Sequence, residues 1–411
     1  MKSSKHIVFV TPLYLPCHLL GSAMVVRDLA EVLSDSGKKI TIITSNALTA
    51  RYWYDPFFGK KLERPSETLH GVLVLRLRCN QIASALLFIL NIILRKAAIL
   101  KKIFRGCADC IEILSWGPIL QHLNDTIVDS HPDLVVLSPF PAGLCLTAKD
   151  ICLRHGIRYC VIPFFKKEQK LFENKLLKNI LDHAFSIFTP TNAEKKYIQH
   201  YTANKKIYLL PSSIDVKFID IHKREIYNEM ERLRRVNNFV NKKIVLFVGN
   251  KGRGKGVIDA AEAVKALHKQ NIVFVAMGNN TIEWNRYVSN ERDNTRMIDV
   301  PYLTDVAKYA YYALCEVLIL PSTTDNFPLV FLEAWQFKKP VLAYDFYSMK
   351  ELVVDGSGFL AKPNSISDLT RQLGYILTHK AAAQNAGRIG YDKIVQYTRQ
   401  RVVRDYFLKG I

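Results

Sequence analysis

Two short stretches of this chain hold residues whose types and spacing can do chemistry. The first is IVLFVGNKGRGKGVIDAAEAV, which reads strand, loop, helix. Its loop contains Gly249, Gly252, Gly254 and Gly256, interleaved with Lys251, Arg253 and Lys255. A glycine-rich turn that opens a helix presents backbone N–H groups and the positive end of the helix dipole, and Lys255 adds a full charge. Together they make a seat for a diphosphate. Two common nucleotide motifs are almost met. Gly249, Gly254 and Lys255 match the spacing of a P-loop, but Gly256 stands where Ser or Thr would hold magnesium. Gly252 and Gly254 begin a dinucleotide fingerprint, but Val257 stands where the third glycine belongs.

The second stretch is VLILPSTTDNFPLVFLEAWQFKKPVLAYD. A strand ends at Pro321-Ser322, and a helix is expected to begin near Asn326, because Pro328 fits only a first turn. Asp325 then sits at or just before that N-terminus, where it could simply cap the helix. Glu333 follows a little over two turns later, inside an apolar run where an unpaired carboxylate is costly. Such a carboxylate can accept hydrogen bonds from the hydroxyls of a ligand.

These motifs need a scaffold, and the chain supplies one twice. Short β-rich runs alternate with helical patterns: Ile7–Val10, Ile40–Thr44, Val72–Leu77, Leu134–Leu137, Tyr159–Ile162, Ser186–Thr189 and Ile207–Leu209. A polar connector occupies 220–243. The alternation then restarts with Ile244–Val248, Ile272–Met277, Met297–Val300, Val317–Leu320 and Val341–Ala343. Repeated βα alternation means a parallel sheet covered on both faces. The fold class is α/β, with two tandem Rossmann-like doubly wound domains facing a cleft. The expected domains are 1–211 and 212–391, with a C-terminal helix over about 392–411 packing back on the first. Ligands in such sheets bind beyond the carboxyl ends of the strands, so a cleft between the domains is the expected site.

The 411 residues suit two or three domains, and 49% hydrophobic with 23% charged residues is a globular balance. The 57 Lys and Arg against 37 Asp and Glu give a net charge of +20, which favours anionic partners. From Thr68 to Ala108 there is no acidic residue. Leu86, Ile89, Leu90, Ile93, Ala97, Leu100 and Phe104 fall on one helical face there, flanked by Arg95, Lys96, Lys102 and Arg105. This makes 82–105 a candidate contact for an anionic membrane surface, against the alternative of a domain helix laid on its sheet. No nucleic-acid module is recognisable. Eight scattered cysteines suit a reducing compartment, and the lone Cys107-x-x-Cys110 lacks the second pair a zinc site needs. No signal peptide is read at the N-terminus, and no apolar run reaches membrane-spanning length. The expected location is cytoplasmic, with peripheral attachment to the inner face of a membrane.

Taken together, the motifs resemble the GT-B glycosyltransferases of the large retaining family 4 (glycosyl transferases group 1). Gly249 with Lys255-Gly256 has the spacing of that family's donor-diphosphate loop. Asp325 and Glu333 have the spacing of its Glu-x7-Glu motif, with Asp first. PSTTDNFPLVFLEA, KKPVLA, MKELVVDGSGFLAKP and PSSIDVKF are similar to its further signatures, and Gly21 matches its first glycine turn. The resemblance implies a retaining, metal-independent hexosyltransferase in cell-envelope glycan synthesis. A nucleotide-sugar would be the donor, a glycan or lipid-linked molecule the acceptor, and no cofactor would be required. It implies catalytic roles for Asp325 and Lys255. It implies donor binding by Gly21, Gly249, Lys251, Arg253, Lys255, Gly256, Asp325, Asn326, Phe327 and Glu333, and no metal ligand. The chain departs from the family at Asn250, where Arg is usual and Lys251 or Arg253 would substitute, at DFYS (345–348), and at Phe164-Phe165, where many members carry His. Those departures leave a catalytically silent GT-B protein as one rival and a P-loop-like NTPase as the other.

Overall fold

The computed structural model describes residues 5–17, 21–55, 57, 59–97, 105–140, 142–165, 174–269, 271–291, 296–303, 305–353 and 355–411. The chain divides into two compact units, 1–211 with 399–411, and 212–398.

The N-terminal unit is built on eight strands: β1 (His6–Val10), β2 (Lys39–Ser45), β3 (Ser66–Leu69), β4 (Val72–Leu77), β5 (Leu134–Phe140), β6 (Tyr159–Pro163), β7 (Ser186–Thr189) and β8 (Ile207–Leu209). Their order is β3-β4-β2-β1-β5-β6-β7-β8. All pairs are parallel except β3 with β4, an edge hairpin not expected from sequence. β3 reads Ser-Glu-Thr-Leu and has no fully buried residue, so it lacks the apolar signature of the other strands. Helix α1 (Gly21–Asp35) buries Val25, Val26, Leu29 and Leu33 against the sheet. Helix α2 (Gln81–Lys96) ends where the Ala97 N–H donates to the Ile93 carbonyl at 3.0 Å. Helix α3 (Arg105–Leu114) follows. The expected single helix over 82–105 is therefore not one element: it stops at Lys96. Leu100, Lys101, Lys102 and Phe104 lie outside the described residues.

The C-terminal unit has six parallel strands: β9 (Lys243–Val248), β10 (Ile272–Met277), β11 (Met297–Val300), β12 (Val317–Leu320), β13 (Val341–Tyr344) and β14 (Gly358–Ala361). Their order, β11-β10-β9-β12-β13-β14, is the 3-2-1-4-5-6 order of a dinucleotide-binding sheet. The switch point lies between β9 and β12. The chemistry-bearing stretches are the loops that leave those two strands, at their carboxyl ends. β14 was missed because Gly-Phe-Leu-Ala is short and opens on glycine. Helices α4 (Val257–Lys265), α5 (Asp305–Leu314) and α6 (Leu329–Gln336) cover the sheet.

This unit runs to Thr398 rather than ending at 391. The expected helix over 392–411 is broken: a helix ends at Lys393, Thr398 is extended, and short turns follow. That last segment belongs to the N-terminal unit. Arg399 pairs with Glu31 and, at 3.2 Å, with Asp28 on α1. Phe407 packs on Phe188 with ring centroids 4.9 Å apart.

One carboxyl in the N-terminal core is costly. Glu194 is buried; its Oε1 accepts the Phe165 N–H at 2.9 Å, and its Oε2 has no hydrogen-bond partner. Burial pushes its pKa well above the usual carboxylate range, so the folded chain holds the proton more tightly than the unfolded chain does. A raised carboxyl pKa gives stability below the unfolded value and loses it as pH rises. Glu194→Gln should therefore raise stability at neutral pH and change it less near pH 4. Urea unfolding of both proteins at the two pH values measures this.

Candidate functional site

The loop after β9 is tight because its glycines leave no room for side chains. Gly256 caps α4 with φ +73°, and a Cβ there would lie 2.2 Å from the Pro321 carbonyl oxygen. A Cβ on Gly254 would lie 2.7 Å from Thr324 Cγ2. The Gly254 carbonyl accepts three hydrogen bonds from the other motif: the Thr323 N–H at 3.0 Å, the Ser322 hydroxyl at 3.1 Å and the Thr324 hydroxyl at 3.1 Å. Two stretches some seventy residues apart are thus clamped together at the switch point. The first turn of α4 has N–H groups with no intrahelical acceptor and the positive end of the helix dipole.

The clamp brings Lys255 onto Asp325. The Lys255 ammonium donates to Asp325 Oδ1, while the buried Oδ2 has no hydrogen-bond partner. Asp325 does not cap a helix. Helix α6 begins at Leu329, with Pro328 at the cap position, later than the expected start near Asn326. Pro328 itself is extended, with φ −76° and ψ 101°. The Asp325 backbone is held instead by the Ser348 hydroxyl, which donates to its carbonyl at 2.8 Å.

Glu333 lies on α6 and is buried, not on a solvated face. Its Oε1 accepts from Lys308 Nζ at 2.9 Å and its Oε2 from the Tyr312 hydroxyl at 2.6 Å, both on α5. Burial alone would lower the Lys308 pKa. The Glu333 carboxylate, together with Tyr309 and Asp305, outweighs it and holds the ammonium above its ordinary range. Tyr312 is pushed up by burial and by the same carboxylate. Lys308 and Tyr312 were not expected from sequence. Their spacing on one helix is a weak signal, because Asp305 in the same helix already offers Lys308 a local partner, at 3.2 Å.

Comparison with known proteins places this geometry. Residues 229–393 match the family model described as glycosyl transferases group 1. Over those residues the chain is similar to the glycosyl transferases group 1 family. An uncharacterised glycosyltransferase of Methanocaldococcus jannaschii is 24% identical over 320 residues, covering 76% of this chain and 83% of that one. Sucrose-phosphate synthase from Thermosynechococcus elongatus superposes with a TM-score of 0.71 at 15% identity, covering 98% of this chain and 97% of the other. Anabaena HepE in complex with UDP-glucose gives 0.70 at 14%, covering 97% of each. The fold is GT-B.

Within the matched residues, one expected donor residue is spent elsewhere. Lys251 is 0% exposed. Its ammonium donates to Asp299 Oδ1 at 2.5 Å, to Asn280 Oδ1 at 2.9 Å and to the Val300 carbonyl at 2.7 Å. Trp284 Nε1 also donates to Asp299, at 2.9 Å. Burial lowers the Lys251 pKa, and Asp299 opposes it. Lys251 therefore cannot stand in for the family arginine. Arg253 remains on the exposed turn beside Lys255. Asn326 and Phe327 are half-buried, and Phe327 meets Tyr397 edge-on at 5.6 Å. Gly249 leaves β9 and donates its N–H to the Met277 carbonyl at 2.9 Å.

Gly21 opens α1 in the N-terminal unit. That unit has a cavity of about 560 Å³ at its own switch point, beyond β1 and β5. Trp53, Tyr54, Trp116, Phe140 and Phe164 line it, with Asn91 and Arg95 from α2. Of the two residues where the family resemblance implies His, Phe164 lines the cavity and Phe165 packs in the core, its ring 5.6 Å from that of Phe140. Sequence reasoning did not find this cavity, because its walls come from seven separate segments of the chain.

Removing Lys251 should damage the fold and spare the loop. Lys251→Met should lower stability by about 2–4 kcal/mol, less than breaking a fully buried pair because Asp299 stays 32% exposed. Nucleoside-diphosphate affinity per folded molecule should stay within about twofold of the parent. Urea unfolding and calorimetry on the same preparation measure both.

Proposed function

We propose that the chain transfers a sugar from a nucleoside-diphosphate sugar to a hydroxyl of a glycan or lipid-linked acceptor, with retention of configuration and without a metal or cofactor. The observation that carries this reading is the Lys255–Asp325 pair, held at the mouth of a glycine loop and a helix N-terminus at the sheet's switch point. The HepE complex with UDP-glucose supports a nucleotide-sugar as the donor. Neither nucleic acid nor magnesium-dependent hydrolysis of a triphosphate is needed. With eight free cysteines, six of them buried, the cytoplasm is the fitting compartment.

In this reading the donor diphosphate lies on the first turn of α4 and takes the Lys255 ammonium, with Arg253 beside it. Asp325, released from Lys255, accepts from the sugar hydroxyls. Asn326 and Phe327 shape that subsite. Glu333 accepts from the ribose hydroxyls while Lys308 and Tyr312 hold its carboxylate in place. The bond from the anomeric carbon to the diphosphate oxygen breaks, and the acceptor oxygen bonds to the same face. The acceptor proton passes to the departing phosphate oxygen. Charge grows on the diphosphate as the bond lengthens, so preorganised donors there lower the barrier.

Thermal-shift screening with UDP, GDP, ADP and their sugars identifies the base, since a ligand of the folded state raises apparent stability. No shift with any of them would end the glycosyltransferase reading and leave a silent relative. With the responsive nucleotide, Lys255→Ala should lose about tenfold to a hundredfold in affinity, the ~1.5–3 kcal/mol of a charge-assisted hydrogen bond. Equal affinity in a folded variant would remove Lys255 from the site. The ribose role is tested with deoxyribose nucleotides. They should bind the parent more weakly than the ribonucleotide, and Glu333→Gln should shrink that gap. An unchanged gap would move the ribose elsewhere.

A further inference from the structure

Helix α2 is built inside out. Its two buried residues are polar: Ser84 is 0% exposed and its hydroxyl accepts the Ile119 N–H at 3.2 Å, while Asn91 Nδ2 donates to the Ser115 hydroxyl at 2.7 Å. Its outward residues are apolar. Ile82, Leu86, Ile89 and Ile93 are 77%, 56%, 52% and 48% exposed, and at 3.6 residues per turn they form one stripe opposite Ser84 and Asn91. Leu90 and Ile92 widen it. A helix laid on its own sheet shows the reverse pattern, so that alternative fails for Gln81–Lys96. Single exposed apolar residues are ordinary, but a contiguous stripe of six on one helix marks an interaction surface.

Charge selects the partner. The stripe ends at the exposed Lys96, while Arg95 pairs with Glu112 at 3.0 Å; no acidic residue occurs from Thr68 to Ala108, and the whole chain carries +20. No helix among the described residues is long and apolar enough to cross a membrane, so the stripe suits the surface of a bilayer. The inner edge of α2 also contributes Phe88, Asn91 and Arg95 to the aromatic cavity of the N-terminal unit.

We propose that the outward face of α2 lies in the interfacial layer of an anionic lipid bilayer. The helix then stands between lipid and cavity, and the cavity takes its ligand from the membrane. On the glycosyltransferase reading, that ligand is a lipid-carried acceptor. The docking itself does not depend on that reading.

Co-sedimentation with phosphatidylcholine vesicles, with and without phosphatidylglycerol, tests the proposal. The parent should pellet with the anionic vesicles, and the double variant Ile89→Asp with Ile93→Asp should lose at least about tenfold in partition coefficient. Both positions are exposed, so the variant should fold, and an unchanged thermal shift with the responsive nucleotide checks that. Leu86→Asn provides a milder second variant, expected to fall between the two. Parent protein left in the supernatant at low salt overturns the proposal. So does undiminished binding by the double variant. A dimer that the variant dissolves, without vesicle binding, assigns the stripe to a second copy of the chain and also overturns it. A parent with no nucleotide response that still docks keeps this inference and removes only the glycosyltransferase reading.

Discussion

One carbonyl oxygen organises the donor side of this chain. Gly254 accepts from the Thr323 N–H and from the hydroxyls of Ser322 and Thr324, and this joins the loop after β9 to the turn after β12. Neither partner could be reached if β9 and β12 were not neighbours, and the 3-2-1-4-5-6 strand order makes them so. Nor could the approach survive side chains: Gly254 faces Thr324, and Gly256 faces the Pro321 carbonyl with a left-handed φ. Lys255, flanked by these glycines, has its ammonium delivered to Asp325 as a result.

Three lysines of this unit show how surroundings decide what a cation does. Lys251 is buried, hydrogen-bonded three times, and structural. Lys308 is buried on a carboxylate that it orients. Lys255 alone of the three is partly exposed, 32% by its side chain, and has one carboxylate partner. A partly hydrated ammonium with a single exchangeable partner can be recruited by an incoming diphosphate at modest cost. A buried one with three fixed partners cannot, because leaving Asp299 uncompensated costs several kcal/mol.

The fold was largely legible in the sequence. Every strand with an apolar run, from Ile7–Val10 to Val341–Ala343, is present, because parallel strands buried on both faces must be continuously apolar. Ser66–Leu69 and Gly358–Ala361 escaped, being edge strands without that signature. The spacing of Lys255, Asp325 and Glu333 was legible too. What was not legible is direction. Nothing local distinguishes Lys251 from Lys255, four residues apart in one loop; only the positions of Asp299, Asn280 and Trp284 in space do. Likewise, periodicity revealed an apolar face on α2 but not which way it points. That was decided by Ser84 and Asn91, two polar residues that the core satisfies.

The central claim is that Lys255 is shared between Asp325 and the donor diphosphate. A double-mutant cycle with Lys255→Ala, Asp325→Asn and both together, read by calorimetric titration of the responsive nucleoside diphosphate, tests it most directly. If Asp325 competes for the ammonium, Asp325→Asn should tighten diphosphate binding when Lys255 is present and do clearly less when it is absent, with a coupling of about 0.5–3 kcal/mol. Effects that simply add, within about 0.3–0.5 kcal/mol, would mean the pair is a structural contact and the diphosphate sits elsewhere.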